Sequence, residues 1–105
     1  HVSVLPEAPG QVHSAFAFPL LLDARHDRAR VMSVLEARGI QTRPISGSNL
    51  ARQPAFSRVP GARLGGPLPV ADRVHTHGLF VGNSHAFGDA HGQLLRGALL
   101  EAFDG

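Results

Sequence analysis

Between residues 43 and 56 the chain reads Arg43-Pro44-Ile45-Ser46-Gly47-Ser48-Asn49-Leu50-Ala51-Arg52-Gln53-Pro54-Ala55-Phe56, a concentrated run of guanidinium, amide and hydroxyl groups. Arg43 and Arg52 offer planar, multi-donor forks that suit phosphate or carboxylate, and Ser46, Ser48, Asn49 and Gln53 add the neutral donors and acceptors that read sugar hydroxyls. This chemistry fits an anionic, hydroxyl-rich ligand. The same residues also suit a turn at Gly47-Ser48-Asn49 whose side chains bond the local backbone. A second set, Gly82-Asn83-Ser84-His85, follows a predicted strand directly, a place where a rigid scaffold holds loop residues toward ligands. His85 can act there as acid, base or donor near neutral pH, and Asn83 can hold a hydroxyl or carbonyl. A turn with a partly exposed histidine is the plainer alternative.

Other chemistries fare worse. His75 and His77, with His85 or His91, could supply imidazoles to zinc, but residues two apart on a helix diverge and no acidic residue stands ready to complete a site, so no metal is expected. There is no Gly-x-Ser-x-Gly elbow, no cysteine nucleophile and no pair of carboxylates in a stretch that looks like a pocket, and Gly65-Gly66 lacks the lysine of a phosphate loop. No residue is assigned a catalytic role. All ten basic residues are arginine, which excludes a Schiff-base lysine from the chain. Without lysine, Trp or Tyr, a nucleic-acid partner is not expected either.

The elements that must position these groups can be read in order. Residues 1–13 are rich in Pro, Gly and small residues and read as a linker or an extended entry segment. From Val12 to Leu22, Phe16, Phe18, Leu20 and Leu22 alternate with Leu21 on the other side, predicting a strand buried largely on both faces, with Pro19 placing it at an edge or interrupting it. Asp27 caps a helix from Arg28 to about Arg38, with Val31, Leu35 and Arg38 on one side, Val34 beside them and Gly39 as its stop. Ile40 to Ile45 reads as a short strand and 57–67 as a loop. Pro69 opens a short helix that ends at Gly78, Leu79–Gly82 forms a third strand, and Asp89 starts a final helix through Leu95, Ala98, Leu99, Ala102 and Phe103.

The order implies an α+β fold, a two-layer small domain over 14–105 with a short sheet and helices on one side. Charged residues make up only 17% of its 105 residues, below the usual quarter or so, which suits a surface partly buried against another domain or subunit. The longest apolar run, Phe16 to Leu22, holds Pro19 and is too short to span a bilayer, so a cytoplasmic chain without a membrane partner is expected. The start at His1 rather than Met suggests a piece of a longer protein.

Several short motifs occur in a telling order: Phe16-x-Phe18-Pro19, Leu35-Glu36-Ala37-Arg38-Gly39-Ile40, Gln41-Thr42-Arg43-Pro44, Asn49-Leu50-Ala51-Arg52-Gln53-Pro54-Ala55-Phe56, Leu68-Pro69-Val70-Ala71-Asp72 and Gly78-Leu79-Phe80-Val81-Gly82-Asn83. Together they resemble the C-terminal domain of the DegT/DnrJ-type sugar aminotransferases, over about residues 14 to 103, and most resemble the branch of nucleotide-sugar 3-dehydratases of lipopolysaccharide dideoxysugar pathways. The resemblance implies the C-terminal domain of a fold-type-I pyridoxal-phosphate (PLP) enzyme, dimeric, acting on nucleotide-linked 4-keto-6-deoxysugars. The cofactor, with the catalytic lysine or the histidine that replaces it, would belong to a large N-terminal domain outside this chain, so no PLP is expected on this chain alone. The resemblance assigns substrate binding to Asn49, Arg52, Gln53, Asn83 and His85, to which Arg43 is added on the chemistry of its guanidinium, and the chain departs from the branch where Ser48 separates Gly47 from Asn49. A stand-alone, non-catalytic binding or interaction module derived from such a domain is the other function class.

Overall fold

The computed structural model describes residues 1–105 as strand β1 (Val2–Val4), β2 (Ala17–Leu22), helix α1 (Arg28–Ala37), β3 (Thr42–Pro44), α2 (Pro69–His77), β4 (Gly78–Gly82) and α3 (Asp89–Asp104). Two single turns of 3-10 helix, Leu50–Arg52 and Phe56–Arg58, lie between β3 and α2. The four strands form one antiparallel sheet in the order β1-β2-β4-β3. Because β2 and β3 both run opposite to β4, they run parallel to each other, and α1 is the crossover of a split β-α-β unit.

Side-chain alternation decides what each face of the sheet does. Leu20 and Leu22 of β2 and Leu79 and Val81 of β4 share one face, where they are buried with Val31 and Leu35 of α1 and Ala98 and Ala102 of α3. Leu20 lies opposite Leu79 in the register. Ala98 and Ala102 are one turn apart, so α3 meets its neighbours along a stripe of small side chains, and it packs directly on α1. The opposite face carries Pro19, Leu21, Phe80 and Arg43, with Arg43 directly across from Phe80. This is the two-layer α+β architecture expected from the sequence.

Local sequence accounts for the helix ends. The Asp27 carboxylate accepts from the Ala29 N–H at 2.9 Å, satisfying one of the free donors of the first turn. At the other end Gly39 takes φ 77°, its N–H bonds Glu36 C=O at 2.9 Å and the Ile40 N–H bonds Leu35 C=O at 3.0 Å. That pair of bonds is a Schellman closure, and Ile40 packs against the core as its hydrophobic partner. At α3 the imidazole of His91 accepts the Gly88 N–H at 3.2 Å, doing for the helix start what a Glu would do in a capping box.

Two expectations change. The segment read as a linker over 1–13 contributes β1, whose Val2, Ser3 and Val4 pair with Leu22, Leu21 and Leu20, so the sheet begins before residue 14. Strand β2 is correspondingly internal, not an edge, despite Pro19, and it starts at Ala17 with Phe16 exposed. The register explains why Pro19 is tolerated. The Asn83 N–H bonds Phe16 C=O and the Asp23 N–H bonds His1 C=O, so even residues of β2 turn their backbone groups to β4 and odd ones to β1. The donor that Pro19 lacks would therefore point past the end of β1, whose pairing stops at Val4.

Gly78 joins α2 to β4 with no residue between them. A Cβ there would sit 2.5 Å from Val74 C=O and 2.9 Å from the Ile45 side chain, whereas one at Gly82 would meet nothing within 4 Å. Gly78→Ala should therefore cost about 1–3 kcal/mol of stability through overpacking, and Gly82→Ala should leave the thermal midpoint nearly unchanged when both are unfolded under circular dichroism.

Candidate functional site

The 45–53 segment turns sharply as it leaves β3. The Ser48 N–H and Oγ–H both bond Ile45 C=O, at 3.0 and 2.7 Å, while Gly47 takes φ 66° and Ser48 φ 47°. A left-handed serine is uncommon and costs on the order of 1–2 kcal/mol, here offset by its two bonds to one carbonyl. Gly47 and Ser48 are thus two left-handed positions in succession.

Asn49, which follows, is 3% exposed. Its Oδ1 accepts the Ala51 N–H at 3.0 Å, capping the turn that carries Arg52, and its Nδ2 donates to Asp72 Oδ1 at 2.8 Å. Its own N–H donates to His75 Nδ1 at 3.3 Å. Arg52 donates from Nε to Asp72 Oδ1 at 2.7 Å and from Nη2 to Asp72 Oδ2 at 2.8 Å, a bidentate fork. Gln53 donates from Nε2 to Gly47 C=O at 3.3 Å. Three of the sequence-assigned residues thus gather into one wall, held by Asp72 and His75 of α2.

Asp72 is the group whose titration this arrangement changes most. The hydrogen bonds from Arg52 lower its carboxyl from 3.8 to about 2, against an opposing effect of burial, with the Asn49 hydrogen bond, Arg52's charge and His75 adding to the lowering. The same pairing raises Arg52. Neither Asp72 nor His75 was assigned to the site from sequence, although Asp72 lies in the first turn of α2 and His75 three residues on, on the same side of the helix.

The remaining assigned residues lie elsewhere. Arg43 is exposed on β3, takes part in none of the ion pairs, and faces the side of the sheet that α1 and α3 leave uncovered. Asn83 lies just past β4, donating from Nδ2 to Ala15 C=O at 2.8 Å. His85 is exposed two residues further on. Since the 45–53 wall adjoins the Gly78 end of β4 and Asn83 follows its other end, the two sets are separated by roughly 16 Å, the length of five strand residues. They do not converge on one point.

A groove of about 930 Å³ opens on the uncovered face, lined by Asn83 but by none of Arg43, Asn49, Arg52, Gln53 or His85. Its floor and sides are Leu5, Val12, Phe16, Pro19 and Phe80, with Ile45 and Ser46 at one end and Asn83 at the other. Phe16 meets Phe80 edge-on, with ring centroids 6.3 Å apart. Of the histidines weighed as metal ligands, His75 accepts from Asn49, His77 contacts Thr76 Oγ1, and His91 stacks on Phe87 with centroids 4.6 Å apart. No three His, Asp or Glu side chains gather as ligands would. The assembled groups can hold an anion or a hydroxyl; they include no paired nucleophile and base.

The architecture matches a solved one. A structure of E. coli GDP-4-keto-6-deoxy-D-mannose-3-dehydratase with bound hydrated PLP superposes on 93% of this chain with a TM-score of 0.81 and 24% sequence identity. The fold is shared with part of that enzyme. The match covers 25% of the dehydratase chain, so the present chain spans about a quarter of its length. No family model and no curated protein sequence matches. No helix is long and apolar enough to cross a membrane.

Because Asp72 titrates lower folded than its ordinary 3.8, its pairing stabilises the fold fully above that value and stops doing so as pH falls toward about 2. Asp72→Asn should be less stable than wild type at neutral pH, and the gap should close over that acidic window when urea midpoints are compared at each pH.

Proposed function

We propose that this chain is the C-terminal small domain of a PLP-dependent enzyme acting on a nucleotide-linked 4-keto-6-deoxysugar, an aminotransferase or 3-dehydratase, to which it lends the substrate-side pocket wall and part of a homodimer interface. The observation that carries the reading is the superposition, over nearly the whole chain, on one quarter of a dehydratase whose substrate is a GDP-linked 4-keto-6-deoxysugar. It agrees with the motif resemblance, which names the same branch independently of the coordinates.

The residues present do not suit the cofactor itself. There is no lysine in the chain to bond its aldehyde, and the donors of the wall are engaged with Asp72 and the backbone rather than arranged as a closed phosphate cradle. PLP, which supplies the electron sink for such chemistry, is assigned to a large neighbouring domain, and no chemical step is assigned to residues here.

Within this reading the wall, and Arg43 apart from it on β3, do two kinds of work. Arg43, with no protein partner, and the outer edge of Arg52 offer charge to the diphosphate, and Gln53 offers an amide oxygen to a hydroxyl. Asn49 is committed to the turn and shapes the wall from behind. Asn83 and His85 stand at the far end, where they face the sugar or nucleotide. The uncovered sheet face, with Phe80, Pro19 and Leu21, then packs against the large domain or the second subunit.

The test is the protein with its large domain attached, assayed with PLP and a nucleotide-linked 4-keto-6-deoxysugar. It should turn the substrate over, and Arg43→Ala should raise KM roughly tenfold or more, the weight of one charge-assisted hydrogen bond of about 1.5–3 kcal/mol, with cofactor affinity unchanged. Equal loss of cofactor and substrate binding would argue for a structural Arg43, and a 105-residue protein that acts without any cofactor domain would favour the stand-alone module.

A further inference from the structure

The side chain of Arg52 is 54% exposed, an environment in which an arginine ordinarily samples many rotamers. Here it does not have that freedom. Nε and Nη2 form one edge of the guanidinium plane, and both are taken by the two oxygens of Asp72. The remaining nitrogen, Nη1, has no partner in the protein and lies away from the Asp72 edge. A planar fork anchored along one edge can present the other in a single direction only.

The same carboxylate also sets the backbone beneath Arg52. Asp72 Oδ1 takes a second bond from Asn49 Nδ2 at 2.8 Å, and Asn49 Oδ1 in turn caps the turn at Ala51. His75, three residues along α2, receives the Asn49 N–H. Helix α2 is itself tied down, since Arg28 Nη1 donates to His75 C=O at 2.6 Å and to Gly78 C=O at 3.1 Å. Side chain, turn and helix therefore share one chain of bonds, and every link from Arg52 to the scaffold passes through Asp72 or the residue it holds.

We propose that Asp72 is a positioning residue: by holding the inner edge of Arg52 and the amide of Asn49 together, it fixes the direction in which Arg52 Nη1 meets an anionic oxygen of the ligand. The ligand, a nucleoside diphosphate group, rests on the function proposed above; the fixing of Arg52 does not. Asp72 touches neither substrate nor cofactor in this role. It keeps the wall formed before the ligand arrives, so that little ordering is left for the binding step.

The experiment uses the protein with its large domain attached, its arginines labelled with nitrogen-15, and GDP as the probe. In wild type the Arg52 Nε–H should appear as a distinct, slowly exchanging resonance that shifts on adding GDP. Asp72→Asn should speed its exchange and weaken GDP binding roughly tenfold or more, Asp72→Glu should restore much of both, and Arg52→Lys, which keeps the charge and loses the fork, should weaken GDP binding as Asp72→Asn does. Thermal midpoints of each variant identify any that fail to fold, and the Asp72→Glu and Arg52→Lys comparison then carries the test. Unchanged Arg52 exchange in a folded Asp72→Asn would overturn the proposal, as would unchanged GDP affinity where wild type binds. Release of Arg52 in Asp72→Asn, with no GDP binding by wild type, would support the positioning role and count against the nucleotide-sugar reading instead.

Discussion

In the β2–β4 register Leu20 lies opposite Leu79 and Phe18 opposite Val81, and since side chains alternate with a period of two, a slip of one residue would carry the whole apolar set to the other face. That pairing therefore fixes which face α1 and α3 cover. Everything else follows from the choice. The core is the four strand residues under two helices, and with only 10 of 105 residues fully buried it has little to spare. The opposite face is left with Pro19, Leu21, Phe80 and Arg43, and there the groove opens. Core and groove are two sides of one hydrogen-bonding pattern.

The polar wall is built on a different logic. Its residues gain their order from a few directional bonds converging on Asp72, and most of them remain near water. Such a cluster adds modestly to global stability, because exposed ion pairs are weak. Its effect lies in narrowing the conformations of the 45–53 segment, including a serine held left-handed. On the function proposed above that narrowing has a use, since a pocket shared between domains needs each to arrive with its half already shaped.

Much of the fold was legible in the sequence because its signals were local. Asp27 and Gly39 marked α1, Pro69 and Gly78 marked α2, and the Leu20/Leu22 alternation marked β2, each through a cap, a stop or a period that needs only a few neighbouring residues. What was missed was non-local. Val2-Ser3-Val4 is too short to announce a strand and is made one by β2 beside it. Pro19 argued for an edge because its tolerance depends on where β1 stops, a fact held in another segment. The site divided in the same way: Arg43, Asn49, Arg52 and Gln53 stood out by type, whereas Asp72 and His75 belong to the wall only because α2 returns alongside it. An acidic residue in the first turn of a helix reads as ordinary dipole chemistry until its partners are known.

The splice at His77 and Gly78, where α2 becomes β4 without a connecting loop, has a mechanical meaning. The wall is bonded to α2, α2 is continuous with the inner strand β4, and β4 delivers Asn83 to the groove. The wall and Asn83 are thus joined through one unbroken run of helix and strand, so that the distance between them is set by the length of β4 and not by a loop.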